Sequence, residues 1–278
     1  MTTYDILIQN ILTWAQQTEN IRAIVVIGSR ARITDPADEW SDLDLLVITT
    51  DMAAYIESAT WLHEIGTPLL SFTEPSFDGS YERRALFDGF LDIDFALSEP
   101  EQFKESLKFG AVRDIFQRGY HILLDKDDWT DLITHLDPAP PPQASSPTQI
   151  SNEIHDYWFH VVWTTKKLKR GELWSAMNCL NCYMKNKLRH MIEVHAVLFG
   201  EGEVVTWHNG RLLEKWSAPT INQRLLGSFA DYDAHALTTA LRHQSALYHD
   251  LASEVADKLN ISYPHESVQA VETWTAQI

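Results

Sequence analysis

The chain has 278 residues, 45% of them hydrophobic, which suffices for two domains of ordinary size. Its net charge of −17 argues against a nucleic-acid partner, because phosphate backbones are held by Lys and Arg, and favours a cationic one. No apolar run approaches the ~18 residues of a membrane span, and no signal-peptide pattern opens the chain, so we expect a cytoplasmic protein without membrane contacts.

Helical and strand patterns alternate over the first 137 residues. Apolar residues at helical spacing predict helices over 4–17, 52–63, 99–108 and 127–136. Apolar, β-branched runs predict strands over 22–27, 43–49 and 67–72. Asp88-Gly89 adds the signal of a tight hairpin over 81–97. We therefore expect an α+β domain whose mixed sheet is flanked by helices.

The most informative residues lie between the first two predicted strands. Gly28-Ser29 interrupts the apolar run that ends at residue 27, and Asp42 and Asp44 open the next run. Strand side chains alternate between faces, so these two aspartates point the same way. Neighbouring carboxylates repel each other. A divalent cation such as Mg²⁺ is the simplest partner, because it prefers carboxylate oxygens together with substrate phosphates.

This order of strand, Gly-Ser, loop and D-x-D resembles the nucleotidyltransferase superfamily typified by DNA polymerase β. The resemblance implies a third carboxylate on a neighbouring strand. Asp92 and Asp94 alternate with apolar residues in the hairpin and share one face. Asp94 lies deeper in the apolar run and better fits the superfamily signature, so we choose it and keep Asp92 as the alternative.

The same resemblance implies how the reaction would proceed. Asp42, Asp44 and Asp94 would hold two Mg²⁺ ions, one on the triphosphate of ATP and one at the attacking hydroxyl. In-line attack on the α-phosphorus would release pyrophosphate, and catalysis would consist mainly of positioning and charge neutralisation. Asp94 would also be the candidate base.

Phosphate binding is expected beside these aspartates. Gly28 allows a close approach of the backbone, and Ser29 would donate its hydroxyl and its N–H group to the β- and γ-phosphates. Arg30 or Arg32 could add a charge-assisted contact, or could instead pair with acids of the loop.

A proline-rich stretch from Asp137 to Pro147 divides the chain, since it fits neither a helix interior nor a central strand. Downstream, strand patterns disappear and helical spacing recurs over 149–170, 172–198 and 234–259. We predict a domain over 1–137, a linker over 138–148 and an all-α domain over 149–278. Cys179 and Cys182 lack a second pair, so we expect free, buried thiols rather than a zinc site.

With the helical half included, nearly the whole chain resembles the bacterial aminoglycoside 6-adenylyltransferases of the streptomycin adenylyltransferase type. The resemblance rests on short matches at Glu153–Trp158, Thr164–Leu173, Met191–Glu193 and Tyr263-Pro264. One family tryptophan is replaced by Lys169. The family implies an enzyme that uses ATP and Mg²⁺ to adenylylate a hydroxyl of a small cationic aminoglycoside. The charge agrees, because residues 1–137 hold 25 acidic against 10 basic side chains.

Four residues of this half are candidate ligand contacts. Lys166 aligns with a family lysine and suits a triphosphate. Glu153 and Asp156, three residues apart on one helix face, could bind amino or guanidino groups. Trp158 could stack on adenine or a sugar. For each, an ordinary role on a helix surface or in the core is the alternative.

Other functions remain open at this point. Leu168–Glu172 matches a turn of the lincosamide nucleotidyltransferases, the nearest competing acceptor class. A nucleotide-binding module without turnover and a protein-adenylylating enzyme are further alternatives. The sequence is compatible with a monomer or a dimer.

Overall fold

The structure is a computed structural model that describes residues 3–32, 34, 36–76, 80–139, 144–201, 204, 206 and 209–277. Its contacts divide the chain into two units, Met1–Gln143 and Ala144–Ile278, which we describe separately. Residues 140–143 of the predicted linker lie outside the described residues. Where the description resumes, Ser146 caps a helix that begins at Pro147, with the reciprocal hydrogen bonds of a capping box to Gln149.

The first unit is built from strands and short helices. The strands are β1 (Ile21–Ile27), β2 (Leu43–Thr49), β3 (Pro68–Pro75), β4 (Tyr81–Phe87), β5 (Leu91–Ser98) and β6 (His121–Asp125). The helices are α1 (Thr3–Gln17), α2 (Met52–Glu57), α3 (Leu62–Ile65), α4 (Pro100–Ser106), α5 (Gly110–Arg118) and α6 (Trp129–Thr134). A 3₁₀ turn at Gly28–Arg30 follows β1.

The six strands form one sheet in the order β3-β4-β5-β2-β1-β6. Only the β2–β5 pair is parallel among the described strands, so the sheet is mixed, as predicted. Helices α1 to α3 pack on one face around a stacked Trp14–Trp61 pair. Helices α4 to α6 pack on the other face around Phe103, Phe116 and Trp129.

Register decides which side chains meet on each face. Leu43, Leu45 and Val47 of β2 are buried against α1 to α3. Side chains alternate along a strand, so Asp44 must point to the opposite face. The parallel pairing sets Asp44 directly beside Asp94 of β5. The sheet therefore brings together carboxylates that are fifty residues apart in the sequence.

The second unit is helical throughout its described residues. Its helices are α7 (Pro147–Lys169), α8 (Leu173–Asn178), α9 (Lys185–Phe199), α10 (Leu213–Trp216), α11 (Pro219–Leu225), α12 (Ala234–Leu259) and α13 (His265–Ala276). A π-helical segment, Cys179–Met184, joins α8 to α9, and a short 3₁₀ turn, Leu226–Ser228, follows α11. The core lies around Tyr157 and Tyr248, whose rings stack 3.6 Å apart.

The predicted fold class is confirmed: a mixed sheet with helices precedes a helical region. Several details differ. The helix predicted over 52–63 is interrupted between Glu57 and Leu62. Cys179 is buried but Cys182 is exposed, because it faces outward from the π-helical segment, so the expectation of two buried thiols is wrong for Cys182. None of the described helices is both long and apolar enough to cross a bilayer.

Candidate active site

Asp42, Asp44 and Asp94 form a compact carboxylate cluster on the sheet. One carboxylate oxygen from each residue lies within 4.8 Å of the others. Asp42 directly precedes β2, Asp44 lies within it, and Asp94 lies on the adjacent β5. Asp92 does not join them: it is exposed and accepts a hydrogen bond of 3.0 Å from the Tyr4 hydroxyl. The geometry thus selects Asp94, the preferred third acid, for the cluster.

The cluster is electrostatically unfavourable without a counter-charge. Burial, with added repulsion from Asp42 and Asp94, raises the pKa of Asp44 to about 7, although the Ser29 N–H donates to its carboxylate and opposes the shift. Burial also raises the pKa of Asp94 to about 6, against the opposing charge of Arg84. A bound cation would remove this penalty, because it would favour the charged form of every carboxylate.

The turn after β1 is shaped by Gly28. Its φ of +68° lies in the left-handed region, and a Cβ there would meet the Asp44 Oδ2 atom at 1.9 Å. Only glycine lets the turn and the carboxylate approach so closely. The next residue, Ser29, is buried, and its hydroxyl has no hydrogen-bond partner among the described residues. A buried unpaired hydroxyl beside a carboxylate cluster is a feature that a polar ligand would satisfy.

Arg30 is directed to the backbone that carries the cluster. Its Nε donates to the Asp42 carbonyl at 2.8 Å, and Nη2 donates to the Ser41 carbonyl. Its guanidinium also lies 3.7 Å from the centre of the Tyr4 ring. These contacts hold the Ser41–Asp42 segment in place. The predicted contact of Arg30 with phosphate stays a prediction, as does that of Lys166, which is exposed on α7.

Sequence reasoning missed Arg84, the basic residue next to the cluster. It pairs with Asp94 across β4 and β5, and its Nη1 lies 3.4 Å from the Asp94 Oδ2. The same guanidinium contacts Glu74 at 2.7 Å and Glu82 at 3.4 Å. The predicted two-residue turn at Asp88-Gly89 would pair residue 84 with residue 93. The observed loop also contains Phe90, which shifts the register by one and sets Arg84 beside Asp94.

The predicted acceptor carboxylates of the second unit already have partners. Asp156 receives a hydrogen bond of 2.8 Å from the Tyr183 hydroxyl and lies 2.8 Å from both Lys187 Nζ and His160 Nδ1. Burial alone would raise the pKa of Asp156, but the hydrogen bonds from Lys187 and Tyr183 outweigh it and lower the pKa.

Glu153 and Trp158 also have partners within the helical unit. Glu153 lies 2.9 Å from Nδ1 of His190, and this hydrogen bond is the main reason why the pKa of that histidine is raised. Trp158 is buried in the core and donates from its indole nitrogen to the Tyr263 hydroxyl at 3.1 Å. These contacts favour structural roles, and the assignments of Glu153, Asp156 and Trp158 to acceptor binding stay predictions.

A mixed sheet, a glycine-serine turn after one strand and three clustered aspartates from its neighbours define a nucleotidyltransferase-like protein. More closely, the chain belongs to the streptomycin adenylyltransferase family, whose sequence profile matches residues 1–278.

Relatives at low identity extend over most of the chain. An aminoglycoside 6-adenylyltransferase of Campylobacter jejuni is 23% identical over 274 residues, which cover 94% of this chain and 89% of that protein. A protein of the same name from Bacillus subtilis (strain 168) is 20% identical over 261 residues, covering 91% and 90%. The crystal structure of an aminoglycoside 6-adenyltransferase from Bacillus subtilis covers 100% of this chain and 98% of its own, at 16% identity and a TM-score of 0.47.

Proposed function

We propose that the protein transfers AMP from ATP to a hydroxyl group of a small cationic, aminoglycoside-like molecule and releases pyrophosphate. The observation that carries this proposal is the carboxylate cluster of Asp42, Asp44 and Asp94 beside the Gly28-Ser29 turn. Membership of the streptomycin adenylyltransferase family supports it, and the two curated relatives are named for the 6-adenylylation of aminoglycosides.

The residues of the cluster fit divalent cations. Their donors are all carboxylate oxygens, the ligand type that Mg²⁺ prefers. Burial and mutual repulsion raise the pKa of Asp44 and of Asp94, and a bound cation would offset both effects. Two Mg²⁺ ions held by the three aspartates would neutralise the triphosphate and acidify the attacking hydroxyl.

The protein's own groups would orient the reactants. The Ser29 N–H is already directed to Asp44, so the unpaired Ser29 hydroxyl is the donor left for a phosphate oxygen. Arg30 fixes the backbone of Asp42. Asp94, which would be held in its charged form by the bound cations, is the candidate to accept the proton of the acceptor hydroxyl. Attack on the α-phosphorus then forms the new P–O bond while the bond to pyrophosphate breaks.

The acceptor is inferred from charge. The first unit contributes most of the negative charge of the chain, which attracts a polycation and repels nucleic acid. An aminoglycoside combines several ammonium or guanidinium groups with free hydroxyls, and it therefore matches both the field and the chemistry.

The experiment is a transfer assay on the purified protein with ATP and Mg²⁺. We expect pyrophosphate release that depends on streptomycin, together with a gain of one AMP in the mass of the antibiotic. Lincomycin serves as the matched acceptor of the competing class, and an adduct on lincomycin alone would reassign the acceptor. ATP binding without pyrophosphate release across a panel of aminoglycosides would identify a binding module instead. A labelled protein band after incubation of a lysate with radioactive ATP would point to protein adenylylation.

A further inference from the structure

A serine, a histidine and a glutamate form a continuous chain of hydrogen bonds where the helical unit begins. Ser145 lies two residues before α7, and its Oγ atom is 3.2 Å from the Nε2 atom of His190 on α9. The other ring nitrogen of His190, Nδ1, is 2.9 Å from the Oε2 atom of Glu153 and 3.0 Å from its Oε1 atom. The pair of Glu153 and His190 therefore continues to a hydroxyl group.

Glu153 determines which nitrogen of the His190 ring carries the proton. An ionised carboxylate only accepts hydrogen bonds, so the Nδ1 atom beside it must be the donor. The neutral imidazole then has its lone pair on Nε2, and the Ser145 hydroxyl donates to that atom. A nucleophile, a base within hydrogen-bond reach and a third group that orients the base together characterise an activated serine.

The burial of the three residues agrees with these roles. The side chain of Glu153 is only 15% exposed, whereas that of His190 is 32% exposed. Burial strengthens the hydrogen bond that orients the ring, because water competes less for the carboxylate. Ser145 is partly exposed as well, so a small reagent can approach the end of the chain that would react.

We propose that Ser145, His190 and Glu153 form a nucleophilic site that takes the acyl group from small activated esters. The Ser145 Oγ atom attacks the carbonyl carbon while its proton passes to Nε2 of His190. The bond to the leaving alcohol then breaks, and the alcohol takes that proton. Water hydrolyses the acyl-serine, again with His190 as the base, and the carboxylic acid leaves with the serine restored.

The chemistry of the site sets the class of substrate. A positioned base contributes about 10²–10⁴-fold to the rate, so we expect aryl esters, whose leaving groups depart readily, rather than alkyl esters or amides. All three residues belong to the helical unit, Ala144–Ile278. A protein that is inactive in adenylyl transfer can therefore still react at Ser145.

The test is to label the full chain with a fluorophosphonate and to locate the adduct by fragment-ion mass spectrometry. The Oγ–phosphorus bond forms, the P–F bond breaks and fluoride leaves. We expect one adduct per protein, on Ser145. The neighbouring Ser146 is the matched control, because it is the more exposed of the two, but its hydroxyl caps α7 by accepting the N–H of Gln149.

Variants of the base and of the group that orients it test the mechanism. His190→Gln should slow labelling by about 100-fold, whereas His155→Gln, at an exposed position of α7, should leave the rate unchanged. Glu153→Gln should slow labelling by about tenfold or more, because the ring loses the charge that stabilises its protonated form. The same variants should reduce the initial burst of nitrophenolate from 4-nitrophenyl acetate.

The pH profile separates a base from a merely structural histidine. The labelling rate should rise with pH as His190 loses its proton and then level off. The hydrogen bond to Glu153 raises the pKa of His190 against the effect of burial; the charge of Glu193 adds to the rise, and that of Arg189, which pairs with Glu193, opposes it. Glu153→Gln should therefore move the midpoint of the profile to lower pH.

Three results would overturn the proposal. They are a wild-type protein without an adduct, labelling of Ser146 as readily as Ser145, and a folded His190→Gln variant that reacts at the wild-type rate. The first two are read from the wild-type protein alone, so they decide the matter even if the His190 variant fails to fold.

Discussion

The carboxylate cluster of the sheet and the single carboxylate of Asp156 have opposite electrostatics. Asp42, Asp44 and Asp94 face one another on the sheet, and burial with mutual repulsion raises the pKa of Asp44 and of Asp94. Asp156 in the helical unit is surrounded by Lys187, Tyr183 and His160, and its pKa is lowered. The residue type is the same, but only the environment of Asp156 supplies enough counter-charge from within the protein to lower the pKa of the carboxyl group.

This difference separates a site from a structural contact. A carboxylate whose charge is balanced internally gains little from a ligand, and its removal leaves a partner unpaired. A carboxylate that is held against its neighbours reduces the stability of the empty protein, and a cation that binds the folded state recovers it. Arg84 does not remove the imbalance, because it shares one positive charge among Asp94, Glu74 and Glu82.

The largest predicted effect is on the proposed base. Asp94→Asn should lower kcat for adenylyl transfer by about 1000-fold or more, because it removes one ligand charge and the group that accepts the proton. The control is Asp92→Asn on the same strand face, which should retain activity within about threefold, since Asp92 lies outside the cluster. Equal loss in both variants, measured by pyrophosphate release, would contradict the geometry of the site.

The close approach at Gly28 gives the next largest effect. Gly28→Ala puts a Cβ at 1.9 Å from the Asp44 Oδ2 atom, in a backbone conformation that alanine adopts poorly, so the carboxylate must move. We expect a fall of about 100-fold in kcat/KM, as for misplacement of a reacting group. Gly171→Ala, which has the same sign of φ but nothing within 4 Å of its Cβ, controls for backbone strain. An equal fall of kcat/KM in both variants would show that the close approach of Gly28 to Asp44 is not specifically required.

The raised pKa of Asp44 also predicts how the free energy of unfolding depends on pH. In the unfolded chain Asp44 loses its proton near pH 3.8, and in the folded protein near pH 7. The folded state therefore binds the extra proton between these values, and the free energy of unfolding falls as the pH rises through that window. At pH 8, without metal, Asp44→Asn should be more stable than wild type by on the order of 2 kcal/mol, and at pH 3 the difference should vanish.

Urea denaturation at the two pH values measures this difference, with Asp92→Asn as the control for loss of an exposed carboxylate. Addition of Mg²⁺ at pH 8 should stabilise the wild-type protein and reverse the order of the two proteins. A wild-type protein that is unaffected by Mg²⁺, or an Asp44→Asn variant that is less stable at pH 8 without metal, would show that the cluster is not a cation site.

The sequence could predict those features of the site that depend on residues close together in the chain. Gly28, Asp42 and Asp44 are encoded locally, by a break between two apolar runs and by the period of two along a strand. The position of Asp94 within its apolar run favours it over Asp92. Its place beside Asp44, however, depends on the pairing of β2 with β5, which are distant in the sequence, so the sequence pattern does not encode it. Arg84 could not be found from the Asp88-Gly89 signal, because the two-residue turn it predicts pairs residue 84 with residue 93, and only the third loop residue, Phe90, moves the partner to Asp94.

The helical unit was harder to predict, because its side-chain partners come from other helices. The position of Asp156 on α7 is visible in the sequence, whereas Tyr183 and Lys187 reach it from the π-helical segment and from α9. The π-helical turn shifts the helical period, so extrapolating a 3.6-residue repeat through it misplaces the residues that follow. Helix spacing alone therefore could not separate a ligand contact from an internal ion pair.

Asp156 provides the smallest effect and the sharpest contrast with Asp44. Asp156→Asn should destabilise the protein by about 1–2 kcal/mol at pH 7, because Lys187 and His160 lose the charge they face. Asp257→Asn, on an exposed position of α12, should change stability by less than about 0.5 kcal/mol. If the role of Asp156 is structural, the folded Asp156→Asn variant should have the same KM for streptomycin as the wild-type protein. A raised KM together with unchanged stability of Asp156→Asn would instead show that Asp156 binds the acceptor and is not needed to pair with Lys187.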